Sequence, residues 1–398
     1  MKRSRIMFYA DSFTGTSGYS KVVRELAQRI GQYHDVFVQE LVTVNPTTKY
    51  GNVTVLPVYG PRGSELYLSS IVNHMNLIKP DMFLPICDPF LMVNDGIANI
   101  NYGDMQLLPY ITIDSRGVPD TSEQILNKAC DIMVTSEYGK AQLTEEGYDA
   151  TRLWHGVDMN IFKPCMSIKK IEYKKERGFD SDDIIFLHIG RNFGRKRHFR
   201  LVESIAKFNK KMQDEGKENK AKFLFHAADI NMKEFNLQSF IKRMEKRYGI
   251  KLDNIIRTED HQLGKGVSEL DLVKLYQLSD FYITASSGEG FGIPIIEAFA
   301  TKLPVILADN STAQELGGDS RSIIVDNEGF VNTGWGTQQP LVCVNKLSET
   351  IYNSVHMSTD DKQKITDKAY SWVQTNCNWD KIALDMLQVI NKNLRGKK

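Results

Sequence analysis

Two glutamates, Glu289 and Glu297, bracket a glycine-rich turn in the run Ala285-Ser-Ser-Gly-Glu-Gly-Phe-Gly-Ile-Pro-Ile-Ile-Glu-Ala-Phe-Ala300. A carboxylate is a bidentate acceptor for vicinal hydroxyls, so this pair suits two polyols held together, for example a sugar and a ribose. Gly288, Gly290 and Gly292 let the backbone come close to a ligand. Pro294 stands where a helix begins, and the amides and positive dipole end of such a helix favour phosphate or a developing anion. A second cluster, Arg191, Arg195, Lys196 and Arg197, crowds four cations into one short stretch that repels itself unless an anion neutralises it. Arginine offers a fork and lysine a point charge, so the two types complement each other on a diphosphate. Taken singly, these are a loop carboxylate, a solvated helix glutamate and a basic turn. Together, with glycines and a helix start between them, they favour a site for phosphate and hydroxyls.

The elements around these residues are predicted from periodicity. An apolar strand at 281–284 runs into the glycine loop, a helix carries Ile295, Ile296, Ala298 and Phe299 inward, and 304–308 follows as the next buried strand. The basic cluster follows a strand at 184–190. Strands at 6–10, 36–44, 53–58, 82–86, 110–113, 132–135 and 152–154 alternate with helices at 21–30 and 66–78. Further on, strands at 222–226 and 254–257 alternate with helices at 199–212, 235–248 and 268–279. Such alternation predicts α/β architecture with mostly parallel sheets, whose ligands bind beyond the carboxyl ends of the strands. Helical patterns at 346–355, 360–376 and 379–394 close the chain, and 329–336 reads as a loop bearing Trp335. Near the N-terminus, Gly15-Thr-Ser-Gly18 forms a turn that a ligand loop and a tight turn explain about equally.

The run from Glu289 to Ala300, followed by Leu303-Pro-Val-Ile306, resembles the signature of retaining glycosyltransferases of the GT-B fold, in the large family 4 group (group 1 glycosyl transferases). The resemblance implies two Rossmann-like doubly wound domains facing a central cleft. Expected boundaries are 1–160 for an acceptor-side domain, 161–376 for a nucleotide-sugar-binding domain, and 377–398 for a helix crossing back to the first. It implies a nucleotide-diphosphate sugar as donor substrate, with no cofactor and no metal. Carried over residue by residue, Arg191 and Lys196 hold the diphosphate, while Glu289 takes the sugar hydroxyls and Glu297 the ribose. Gly290, Phe291, Gly292 and Ile293 line the donor, and Ser17, Gly18 and Tyr19 approach it from the first domain. Where many relatives have a histidine, this chain has Asp114, which either orients a sugar or acceptor hydroxyl or caps a turn. The loop 257–267 sits where relatives hold the base. His155, at the exit of the first domain, reads as structural rather than catalytic.

Composition bounds the rest. The 398 residues suit two domains, and 50 Lys plus Arg against 49 Asp plus Glu leave no global basic field for nucleic acid. Five scattered cysteines without a CxxC pair fit neither a disulfide framework nor a zinc site, and suit a reducing compartment. The N-terminal apolar run is too short for a signal peptide, and no stretch approaches a spanning helix. A cytoplasmic protein is expected, with peripheral membrane contact compatible. Asp180-Ser-Asp182 matches a metal-binding DxD pattern but reads as a turn. Alternatives within enzymes are a DNA-base glycosyltransferase and a phosphorylase; outside catalysis, a silent nucleotide-sugar-binding protein. A Rossmann dehydrogenase lacks the third fingerprint glycine. The acceptor, a glycan, lipid, protein or nucleic acid, is not named by any motif.

Overall fold

A computed structural model of the chain describes residues 3–42, 46–227, 236–258 and 266–395. It divides into two compact units, one of Met1–Gly156, Thr333–Thr337 and Cys377–Lys398, the other of Val157–Asn332 and Gln338–Asn376.

In the first unit, Arg5–Ala10 lies between Asp35–Glu40 and Met82–Pro85, all parallel. Residues Ile6 to Ala10 are wholly buried, as expected of a central strand covered on both faces. The full order is Thr48–Tyr50, Val53–Leu56, Asp35–Glu40, Arg5–Ala10, Met82–Pro85, Gln106–Leu107, with only the first pair antiparallel. Tyr110–Ile111, Met133–Val134 and Thr151–Arg152 form a short parallel sheet, linked to Met82–Pro85 through the bridge from Ile86 to Tyr110. Helix Gly18–Ile30 is capped by Ser17, whose oxygen accepts from the Ser20 amide. Trp379–Arg395 packs in this unit, where Asp380 pairs with Arg29 at 2.7 Å and Lys392 with Asp131 at 2.9 Å.

The second unit holds a wholly parallel six-stranded sheet. Its order is Ile255–Arg257, Ala221–His226, Ile184–Ile189, Phe281–Thr284, Val305–Ala308, Ile323–Val325. Chain order runs outward from Ile184–Ile189 in one direction and from Phe281–Thr284 in the other, so the reversal falls between these two neighbours. Loops at the carboxyl ends of strands flanking such a reversal form the natural crevice of a doubly wound sheet. Those loops carry the basic cluster and the glycine-rich signature.

One expectation is corrected in part: of the loop expected at 329–336, residues 329–332 belong to strand Asn327–Asn332, which pairs with Gln338–Val342 as an antiparallel hairpin with a register shift between Asn327 and Gly329, while 333–336, with Trp335, form its turn. Alternating side chains make this a strand, but its Asn and Gly content hid the period. Strands Thr48–Tyr50 and Gln106–Leu107 were too short for a pattern to mark. The base loop expected at 257–267 and the C-terminal Arg395-Gly-Lys-Lys398 lie mostly outside the described residues, as do the end of the strand expected at 36–44 and the first residue of the helix at 235–248.

Gly156 ties the C-terminal helix to the first unit, because a Cβ there would meet the Trp379 ring at 2.6–2.9 Å. Backbone and ring have no slack. Gly156→Ala is expected to destabilise this unit by roughly 1–3 kcal/mol through overpacking, read as a lower denaturation midpoint than wild type.

Candidate active site

Lys196 and Glu289 meet at the sheet reversal, the ammonium 2.5 Å from Glu289 Oε1. Both residues are buried. Arg195 adds a contact of 3.2 Å to Glu289 Oε2 and donates to Gly288 O at 2.6 Å. Burial by itself would raise the Glu289 carboxyl; Lys196 and then Arg195 outweigh it and hold it down at about 2. Glu289 is therefore a carboxylate at every pH of interest. The loop around it is braced by backbone and hydroxyl bonds: the Ser287 amide donates to Arg195 O, and Ser311 Oγ accepts from the Glu289 amide and donates to Glu289 O.

Gly292 precedes helix Ile293–Ala300 with φ 106°, a conformation that favours glycine. Pro294 has no N–H and the Ile295 amide turns to Gly292 O. Hence this helix start presents the amides of Gly292 and Ile293 rather than a full first turn. Glu297 lies in the same helix, 3% exposed, and accepts from Tyr276 Oη at 2.7 Å. It is no solvated helix glutamate. Arg191 is exposed, at the end of strand Ile184–Ile189.

The structure thus brings together, within the second unit, Glu289, Arg195, Lys196, Gly290 to Ile293 and Glu297. Ser17, Gly18, Tyr19 and Asp114 belong to the first unit. There, the Tyr19 hydroxyl is 2.8 Å from both Asp88 Oδ1 and Thr112 Oγ1, and Ser17 bonds to Asp11 besides capping its helix. Their hydroxyls hold loops at that unit's own sheet reversal, between Arg5–Ala10 and Met82–Pro85. Asp114 is half-buried beyond Tyr110–Ile111 and lies near Tyr138, whose hydroxyl is pushed up to about 12 by burial and then by Asp114. His155 is buried between Tyr110 and Trp379, and burial pushes its ring down to about 3. That is a core histidine. Asp182 sits in a turn and pairs with Lys220.

Sequence reasoning missed Tyr276, which reads as one more apolar residue of helix Glu269–Leu278, and a buried chain of polar groups behind the basic loop. His188 Nδ1 lies 2.9 Å from Ile283 O, His188 Nε2 2.7 Å from His198 Nε2, and His198 Nδ1 2.7 Å from the Asn192 amide group. Three hydrogen bonds need three protons, and two neutral rings carry two. The third comes from Asn192 if its nitrogen faces His198, or from an added proton if its oxygen does. Burial lowers His188 to about 4, and burial, then His188, lowers His198 well below its ordinary value, which favours the neutral pair. Arg197, between the loop and helix His198–Asp214, has φ 49° and ψ 38°, a left-handed conformation costing roughly 1–2 kcal/mol for a residue with a Cβ.

Residues 169–329 match the family model described as Glycosyl transferases group 1. A stretch of 52 residues is 48% identical to the serotype-specific mannosyltransferase WbdA of Escherichia coli, covering 13% of this chain and 6% of that protein. The match thus spans only a small part of that relative's length. Sucrose-phosphate synthase from Thermosynechococcus elongatus superposes with a TM-score of 0.77 at 16% identity, over 99% of this chain and 100% of that one. Anabaena HepE, solved in complex with UDP-glucose, gives 0.72 at 13% identity, over 98% and 100%.

The neutral histidine pair has a pH signature. In the unfolded chain both rings titrate near ~6.5. Folded, His188 stays neutral down to about 4, and His198 is held well below its ordinary value. Between these values the unfolded chain binds more protons, so stability falls as pH drops from neutral towards 4. Melting temperatures across this range should fall less steeply for His198→Gln than for wild type; equal slopes would remove the pair as the cause.

Proposed function

We propose, for a chain that carries a group 1 glycosyl transferase domain in a GT-B fold, that it moves a sugar from a nucleotide-diphosphate sugar to an acceptor with retention at the anomeric carbon. The observation that carries this is the buried Lys196–Glu289 pair at the sheet reversal, with Arg195 and the signature amides beside it. A cation meant for phosphate and a carboxylate meant for hydroxyls sit in contact, each neutralising the other until a ligand bearing both groups enters. HepE's complex with UDP-glucose supports a donor of that class.

In this reading the bond between the anomeric carbon and the diphosphate oxygen breaks, and the leaving diphosphate gains charge. Arg191, Lys196 and the amides of Gly290 to Ile293 stabilise that charge where it develops. Arg191 contributes a fork and Lys196 a compact charge, so the two cations supply what a metal supplies elsewhere, and metal independence is proposed on that ground. Glu289 holds the sugar hydroxyls. Glu297, oriented by Tyr276, takes the ribose diol. The acceptor hydroxyl attacks from the face the diphosphate leaves, and the diphosphate takes its proton. Asp114 is assigned to a sugar or acceptor hydroxyl, and Ser17, Gly18 and Tyr19 keep the donor-binding role that the resemblance gives them.

The test is a panel of UDP-, GDP- and ADP-sugars incubated with the protein in chelator, scoring nucleotide release and thermal shift. One donor is expected to stabilise the protein and hydrolyse slowly. No response to any donor, repeated with Mn²⁺, would move weight to a silent binding protein. Glu297→Gln should weaken the nucleoside diphosphate by an order of magnitude, about 1.4 kcal/mol, without changing which sugar is preferred. Equal affinity by calorimetry would remove Glu297 from the ribose.

A further inference from the structure

A cavity of about 270 Å³ opens in the second unit between the basic loop, the start of helix His198–Asp214 and the hairpin. Asn192, Phe193, Arg197, Arg200, Val331 and Leu341 are among its walls, and Lys196, Glu289 and Glu297 are not. It is therefore separate from the carboxylate site, although Arg197 touches both regions through Ser287.

Arg197 decides its chemistry. Nε donates to Ser287 Oγ at 2.6 Å and Nη2 to Gln339 Oε1 at 3.4 Å, both neutral acceptors. The adjacent guanidinium of Arg200 is neutralised by Glu328 and also donates to Val342 O. Among the described residues no carboxylate does the same for Arg197. A half-buried cation with neutral partners and a like charge beside it lacks the counter-charge that burial calls for. Among the described residues four other non-glycine residues share a positive φ, so the strain at Arg197 is not by itself a sign of function. Here, however, the strained residue is also the uncompensated cation of a cavity. Opposite it, Phe193 is 41% exposed, and Val331 and Leu341 add apolar wall. The volume is below that of usual drug-sized sites, which limits the occupant to a small molecule.

We propose that this cavity is a second oxyanion site, taking a small phosphate monoester whose phosphate is bound by the remaining N–H groups of Arg197 and whose body packs on Phe193, Val331 and Leu341. The proposal does not need the donor assignment to hold.

Calorimetric titration of glucose 6-phosphate and, separately, of inorganic phosphate tests it on the full chain. Arg197→Gly suits the test because glycine adopts this backbone freely, so the variant should melt close to wild type. It is expected to bind glucose 6-phosphate on the order of tenfold more weakly or worse. Leu341→Trp, which fills the cavity and leaves every cation in place, should lose the same affinity. Glu297→Gln, at a residue outside the cavity walls, should retain it, while weakening nucleoside diphosphate if the donor assignment is right. Tighter binding of the sugar phosphate than of inorganic phosphate supports an ester as occupant; equal affinities support free phosphate as the source. Wild-type affinity in both Arg197→Gly and Leu341→Trp, or loss in Glu297→Gln alone, would overturn the site.

Discussion

The contact between Lys196 and Glu289 is the constraint on which the second unit's site depends. Two charges removed from water are costly unless they meet at close range with their remaining bonds satisfied. Glu289 achieves this with Lys196 and Arg195 while Ser311 braces its backbone, and the price is that the loops carrying them must stay in register. Removing one partner of such a pair typically costs about 3–5 kcal/mol, because the other charge is left buried. The ion pair thus fixes the loop geometry while holding, in contact at the sheet reversal, the cation and the carboxylate to which the proposed function gives phosphate and hydroxyls.

Sheet topology makes the contact possible. Ile184–Ile189 and Phe281–Thr284 are hydrogen-bonded neighbours although nearly a hundred residues separate them in sequence, so the loops following them emerge side by side. The histidine chain strengthens this arrangement from beneath. His188 belongs to the first strand, His198 to the helix after the basic loop, Asn192 to the loop itself, and Ile283 O to the second strand. The basic loop is consequently tied to both strands by buried polar groups. The first unit repeats the logic with other chemistry: Tyr19, Asp88 and Thr112 tie loops together across its own reversal.

The doubly wound architecture was legible in the alternation of apolar strands and amphipathic helices, and the signature was legible because glycines, Pro294 and two glutamates occur in one short run. What stayed hidden depended on contacts between distant positions. Tyr276 reads as a helix core residue, and nothing local marks it as the partner of Glu297. A lone histidine on an apolar strand, such as His188, gives no sign that a second ring lies 2.7 Å away. The hairpin Asn327–Asn332 with Gln338–Val342 was masked by turn-forming residues, and with it the cavity it helps to enclose. In sequence Arg197 is one of four crowded cations; its left-handed backbone and neutral partners are visible only in three dimensions.

The most direct measurement is a crystal structure with the nucleoside diphosphate that binds most tightly, grown in the presence of chelator. The expected result has diphosphate oxygens on Arg191 and Lys196, the Lys196 ammonium shared with or withdrawn from Glu289, and the ribose on Glu297. A diphosphate that touches neither Arg191 nor Lys196, or one that enters only with a divalent metal, would contradict it.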